Sequence, residues 1–358
     1  MNFRKARNQF PVLGRVAYLN AGSMGPLARP TVEAMQAQER ADLKGGRGGR
    51  PYIDSMLGLR ARVRAGLAAT IGVPPENVAL TSSTTESCNI VLAGLRLAPE
   101  DEVVTTDTEH FGLIGPLRAS GATVRVAAVR TLLPEEALDA ILAQVTPKTR
   151  LLALSHVSWQ TGNLLPVEEL QEATGLPMLV DGAQTAGAIA VDAMRFDFYT
   201  VSGQKWLCGP DATGALYVRD PERLHVALPT YFSQNAYEVD GTYTPKDGAA
   251  RFDAGWIPNA SLAGLEAALA LVPHWAAHHS AEIAARCYVL LSERFEVVTA
   301  PGQANLVSFV ADGDAAETAE RAYEQGVVIR DMPGTGWVRV SCGWWTSDGD
   351  INRLLRSL

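Results

Sequence analysis

Short apolar runs and longer amphipathic stretches alternate along most of this chain. From residue 78 the segments Val78–Thr81, Glu102–Thr105, Thr123–Val126, Arg150–Leu154, 177–181, 196–201 and Gly214–Val218 are largely apolar and too short for helices, which predicts strands. Helical patterns fall between them, over Thr85–Leu95, after His110, and from near Pro134 and Pro166. Repeated strand–helix units with apolar strands predict a mostly parallel sheet covered by helices on both faces.

The flanks read differently. Residues 1–15 predict a short arm, and Val16–Leu19 a brief strand that runs into the turn-rich Asn20-Ala-Gly-Ser-Met-Gly-Pro26. Two helices follow, over about Pro30–Leu43 and Ile53–Ile71, joined by the glycine-rich Gly45–Pro51, read as a mobile basic loop. After residue 258 come helices over Ala260–Leu271 and on to Phe295. Strands near Phe295–Thr299, Ala304–Val310, Val327–Arg330 and Val338–Ser341 alternate with helices near Ala315–Glu324 and Asp348–Leu358. The expectation is a large domain over 16–257, with 1–15 and 258–358 forming a smaller α+β domain.

Composition narrows the possible functions. A net charge of −8 argues against nucleic acid or an anionic membrane as partner, because both reward clustered Lys and Arg. No apolar run is long enough for a transmembrane helix, and the basic N-terminus has no apolar stretch behind it to make a secretion signal. The four cysteines are scattered with no Cys-x-x-Cys pair, which fits a reducing, cytoplasmic compartment.

The chemistry concentrates between Pro177 and Trp206. One apolar run ends in Asp181-Gly-Ala-Gln184, and the next ends in Ser202-Gly-Gln-Lys205-Trp206. An acid closing one strand and a lysine following the next suit an enzyme that uses pyridoxal phosphate. The amine forms a Schiff base with the aldehyde, and the acid keeps the pyridine nitrogen protonated so that the ring accepts electrons. Thr81-Ser-Ser-Thr-Thr-Glu-Ser87, where a strand meets a helix, suits a phosphate, with Thr84 and Thr85 as hydroxyl donors; a plain helix cap explains the same residues. His110 lies just past a strand end, where open parallel sheets bind ligands, and its imidazole can stack on a ring or trade protons. Arg330 and Arg339 lie in apolar strands and can receive an α-carboxylate; an ion pair with Asp331 or another acid is the alternative. Trp159 and Trp256 suit a pocket wall or a core. His274, His278 and His279 share a helix but lack a third metal ligand, so no metal is expected.

Asp181-Gly-Ala-Gln184 and Ser202-Gly-Gln-Lys205-Trp206 resemble the signature of class V aminotransferases, which include the cysteine desulfurases. Thr84-Thr-Glu-Ser87, Thr108-Glu-His110, Ser155–Gly162 and Gly209–Leu216 follow in that family's order. Within it, Cys88–Leu92, Trp159–Gly162, Lys205-Trp206 and the Arg330/Arg339 spacing most resemble bacterial L-cysteine/cystine C–S lyases. The resemblance implies an α/β, fold type I architecture, with a mostly parallel, seven-stranded-type sheet in the large domain. It also implies a homodimer with active sites at the interface.

By the same resemblance, Lys205 carries the cofactor and moves the Cα proton, Asp181 pairs with the pyridine nitrogen, Gln184 donates to the ring oxygen, and His110 stacks on the ring. Thr84, Thr85, Ser202 and Gln204 hold the phosphate. Arg339, supported by Arg330, holds the substrate carboxylate, while Asn20, Gly22 and Trp159 edge the substrate pocket. The chain departs from its relatives at Gln204, where many have histidine. It also carries Trp256 where a partner threonine often touches the phosphate, with Asn259 or Ser261 as substitutes. The desulfurases' persulfide-forming cysteine has no counterpart in Arg330–Thr335. The implied reaction is therefore β-elimination from a cysteine-like amino acid. Transamination and isopenicillin N epimerase-like epimerisation are the alternatives, and a non-catalytic protein of the same fold is the remaining one.

Overall fold

The computed structural model describes all 358 residues. Its centre is a seven-stranded sheet in the order Val78–Thr81, Gly214–Val218, Phe198–Ser202, Met178–Asp181, Thr149–Ser155, Glu102–Thr106, Thr123–Ala127. All neighbours are parallel except Gly214–Val218, which runs antiparallel to both strands beside it. Every expected strand of this sheet is present, within two residues of the expected ends. Successive side chains alternate between faces, so Leu152, Leu154 and Val180 enter one core while Leu151, Ala153 and Leu179 enter the other. Both faces are covered, which is why the central strands are buried along their whole length.

The C-terminal part forms a three-stranded antiparallel sheet, in the order Leu306–Val310, Trp337–Ser341, Arg330–Met332. The helices Ala276–Ser292, Ala315–Glu324 and Asp348–Ser357 pack with it. The strand expected near Phe295–Thr299 is absent. Only Val297 bridges to Phe309, and the amides of Val298 and Thr299 both reach the Ser308 carbonyl, which breaks the ladder.

Apolar packing crosses the expected domain boundaries in both directions. Ala17 and Leu19 belong to the C-terminal core, because Ala17–Tyr18 pairs with Val327–Val328. Conversely, Leu262 and Leu265 of the helix Asn259–Leu271 lie in the core of the large sheet. We propose a division in which that helix stays with the large unit and the strand at residue 17 joins the small one.

The first residues are not a loose arm. Asn2 caps the helix Phe3–Arg7, Arg7 pairs with Asp350, and Phe10 is buried against Trp344 and Trp345. The glycine-rich segment is also shorter than expected. Helices occupy Arg29–Gly45 and Gly49–Thr70, leaving only Gly46, Arg47 and Gly48 between them.

Candidate active site

Three adjacent strands deliver the polar residues to one end of the large sheet. Ser155, Asp181 and Thr200 are neighbours in the strand register. The Thr200 hydroxyl donates to Asp181 Oδ1 at 3.0 Å, and the Ala183 amide donates to the same oxygen at 2.9 Å. Oδ1 is thereby fixed, while Oδ2 of this buried carboxylate has no partner in the chain. That oxygen is free to accept a hydrogen bond from a ligand.

Lys205 follows the next strand. Burial pushes its amine down to about 8; the Asp181 carboxylate pulls the other way, and the Arg339 and Arg330 guanidiniums add to the depression. About a tenth of such an amine is unprotonated at pH 7, far more than of an ordinary lysine, as Schiff-base chemistry requires. The same interactions place Asp181, Arg330 and Arg339 around one amine.

His110 caps the helix Phe111–Ala119. Its Nδ1 accepts the Gly112 amide at 3.0 Å, so the proton of the neutral ring sits on Nε2. Burial and then Lys205 lower its pKa. The ring stands edge-on to Trp159 with centroids 5.1 Å apart.

The helix Thr84–Leu95 begins at the end of the first strand. The Ser83 hydroxyl takes the Glu86 amide, leaving those of Thr84 and Thr85 without an intrahelical acceptor. Neither threonine hydroxyl makes a hydrogen bond, so this helix start offers four donors to an anion in addition to its dipole. Ser202 Oγ donates to Gln204 Oε1 at 2.9 Å, which leaves Gln204 Nε2 free. Ser202 Oγ thus also orients the Gln204 amide.

Gln184 is anchored on both sides of its amide. Its Nε2 donates to the Gly22 carbonyl at 2.9 Å, and its Oε1 accepts from Trp206 Nε1 at 3.0 Å. One N–H is left for a ring oxygen.

The arginines resolve the alternative posed by the sequence, since neither has a carboxylate within ion-pair reach. Arg330 Nη1 and Arg339 Nη2 both donate to Ser23 Oγ, at 3.0 and 3.1 Å, and Arg339 Nη1 donates to the Trp159 carbonyl at 2.8 Å. Arg339 Nε is buried with no acceptor, and so is Trp159 Nε1. Burial and then Arg330 push the Arg339 pKa down to about 9. Unpaired buried donors are a feature of ligand sites, and these two suit an anion. Gly22 is required at this point, because a Cβ there would sit 2.9 Å from Arg339 Cζ. Asn20 contributes indirectly, accepting the Ser23 hydroxyl at 2.8 Å.

Sequence reasoning missed three residues. Ser23 shows only as part of a turn. Thr200 needed the strand register to appear beside Asp181. Glu109 lies buried next to His110, accepting from Thr106 Oγ1 at 2.6 Å and from the Ser155 amide and hydroxyl at 2.9 and 2.6 Å. Burial raises its pKa to about 7 against the pull of those donors.

Residues expected elsewhere stay elsewhere. Trp256 is 66% exposed and stacks on Tyr231, beside Asn259 and Tyr52 at the mouth of a cavity of about 620 Å³. Ser261 is buried in the helix behind it. His279 turns to the Thr346 carbonyl, and His278 pairs with Glu282 at the surface. All four thiols are free and buried, and burial raises the pKa of Cys88 and Cys208.

The donor set fits pyridoxal phosphate on its own terms, with an amine of depressed pKa, a carboxylate with one bare oxygen and an anion-binding helix start. The comparisons with known proteins agree. The aminotransferase class-V model matches residues 26–349, and the chain belongs to that family of pyridoxal-phosphate enzymes. It is 29% identical to isopenicillin N epimerase of Streptomyces clavuligerus, over 100% of this chain and 98% of that protein. It is 32% identical to a protein of Xylella fastidiosa named probable cysteine desulfurase, over 82% and 78% respectively. Its fold matches that of the cystine C–S lyase C-DES in complex with its product cysteine persulfide, with a TM-score of 0.91, 30% identity and coverage of 98% and 99%. A second C-DES structure carries glycine covalently linked to its PLP cofactor.

Proposed function

We propose that this protein is a C–S lyase that cleaves the Cβ–S bond of cysteine, cystine or a related amino acid. The observation that carries the reading is a pair of guanidiniums without counter-ions, Arg330 and Arg339, acting on a neutralisable lysine in a chain whose thiols are all buried. Desulfuration through a protein persulfide needs an exposed thiolate, whereas β-elimination needs none.

Arg339 and Arg330 hold the substrate carboxylate and present Cα to Lys205 Nζ, which removes the Cα proton. Asp181, held by Thr200, keeps its negative charge at the ring nitrogen. Thr84, Thr85 and Gln204 hold the phosphate. The bound pyridoxal phosphate supplies an electron sink for the charge at Cα. The Cβ–S bond breaks with its electron pair on sulfur, which leaves as sulfide from cysteine or as cysteine persulfide from cystine, and hydrolysis of the remaining fragment gives pyruvate and ammonia. Trp159 and His110, packed edge to face, wall the site.

A homodimer and a cytoplasmic location complete the proposal. Leu43, Trp256 and Tyr231 are large, exposed apolar residues that a second copy would cover, and no single helix is long and apolar enough to cross a membrane.

Epimerisation is the second reading, favoured by His110, whose Nε2 proton lies within electrostatic reach of Lys205. Supplying cystine, cysteine and alanine separately and identifying the products discriminates the two. Pyruvate from the sulfur amino acids supports lyase chemistry, whereas solvent deuterium at an inverted Cα supports epimerisation. A stable pyridoxamine form would instead mark transamination, and the absence of any cofactor absorbance a non-catalytic protein.

A further inference from the structure

We propose that Ser23 is a positioning residue that binds Arg330 and Arg339 into one carboxylate clamp. The proposal rests on the reading above that this pair receives the substrate carboxylate. Arg330 and Arg339 are register partners on adjacent antiparallel strands, so two like charges face the same slot. No acid offsets them. The one group that touches both is the Ser23 hydroxyl, which accepts from Arg330 Nη1 at 3.0 Å and Arg339 Nη2 at 3.1 Å and donates to Asn20 Oδ1 at 2.8 Å. Both lone pairs and the proton are in use.

The roles of the two arginines differ. Arg339 is also tied to the Trp159 carbonyl, whereas Arg330 has no hydrogen bond other than the one to Ser23. Without that hydroxyl, repulsion from Arg339 turns Arg330 away from the slot. Ser23 itself cannot retreat. The Gly22 amide is held by Ser341 Oγ at 3.1 Å, the Gly22 carbonyl by Gln184, and the Gly25 amide by the Gln204 carbonyl at 2.8 Å. These anchors also tie the clamp to Gln204, next to Lys205, and to Gln184, three residues beyond Asp181, so carboxylate binding is registered against Lys205.

The test compares a ligand carrying a carboxylate with one lacking it. L-alanine and ethylamine share an amine and a methyl group, and alanine has no β leaving group. Their affinities for the holoenzyme are measured by calorimetry and by the absorbance of the bound cofactor. The wild type binds alanine more tightly. Ser23→Ala weakens alanine about tenfold, the scale of one charge-assisted hydrogen bond, and leaves ethylamine unchanged. Ser23→Thr restores alanine binding to within about threefold. With a turned-over substrate, Ser23→Ala raises KM and leaves kcat within about twofold. A Ser23→Ala protein that keeps or tightens alanine binding overturns the proposal while the arginine reading stands. A wild type that binds both ligands alike overturns both. Should Ser23→Ala fail to fold, Ser23→Cys carries the same comparison, because a thiol is a weak acceptor.

Discussion

Arg330 and Arg339 face each other across an antiparallel strand pair, and the nearest either has to a counter-ion is a serine hydroxyl. A protein that retains two such charges loses stability to do so, because a desolvated cation without a carboxylate is unfavourable. Replacing Arg339 by methionine, which follows the arginine stem as far as Nε and carries no charge, should therefore separate function from stability. Affinity for an amino acid falls roughly 10- to 150-fold, the scale of hydrogen bonds to a charged group, while Tm stays level or rises by about 1–4 °C. Calorimetric titration and a thermal melt check the two halves.

Lys205 makes a similar prediction through pH. Its folded amine titrates near 8, below its ordinary 10.5, so between those values the unfolded chain binds more protons than the folded one. The contribution of this group to stability is full above about 10.5 and is lost as pH falls through 8. Cofactor-free wild type should therefore melt below cofactor-free Lys205→Met at pH 7, and the gap should close toward pH 10.5. A gap that does not change with pH contradicts the assignment.

The sheet and its acid–lysine pair were legible in the sequence because both follow from local pattern. A fully buried strand is an apolar run, and Asp181 and Lys205 break such runs in plain view. The Ser202 and Gln184 assignments were only half legible. Their side chains could be named from the motif, but what each bonds to depends on Gln204, Gly22 and Trp206 after folding. Ser23 was invisible for the same reason, since its partners lie more than 300 residues away. The failed strand at residues 295–299 had the right composition, and its ladder broke on pairing geometry that composition does not encode.

Glu109 reverses the pH argument. Its folded carboxyl titrates near 7, above its ordinary 4.5, so the folded state binds the extra proton. Its contribution is full below about 4.5 and is lost as pH rises through 7. Glu109→Gln keeps the hydrogen-bonding shape and removes the titration. Its Tm in the cofactor-free protein should change less than that of wild type between pH 4.5 and 7, as a series of melts would read.

Thr200→Val keeps the shape beside Asp181 but removes the 3.0 Å hydrogen bond that fixes Oδ1. Cofactor affinity should fall about three- to thirtyfold, less than the full effect of a hydrogen bond to a charged group because Thr200 acts only through Asp181, with the melting temperature of the cofactor-free protein changed by only a few degrees. Titration of the cofactor-free variant with pyridoxal phosphate measures it. Undiminished affinity would show that Thr200 does not support the acid.

The most direct measurement is pyruvate released from L-cystine by the holoenzyme, assayed before and after exposure to a thiol-alkylating reagent, with Lys205→Ala as control. The account predicts pyruvate and ammonia in equal amounts, at a rate unchanged by alkylation because all four thiols are buried, and none from Lys205→Ala. No pyruvate from a protein that carries its cofactor, or activity abolished by alkylation, would contradict it.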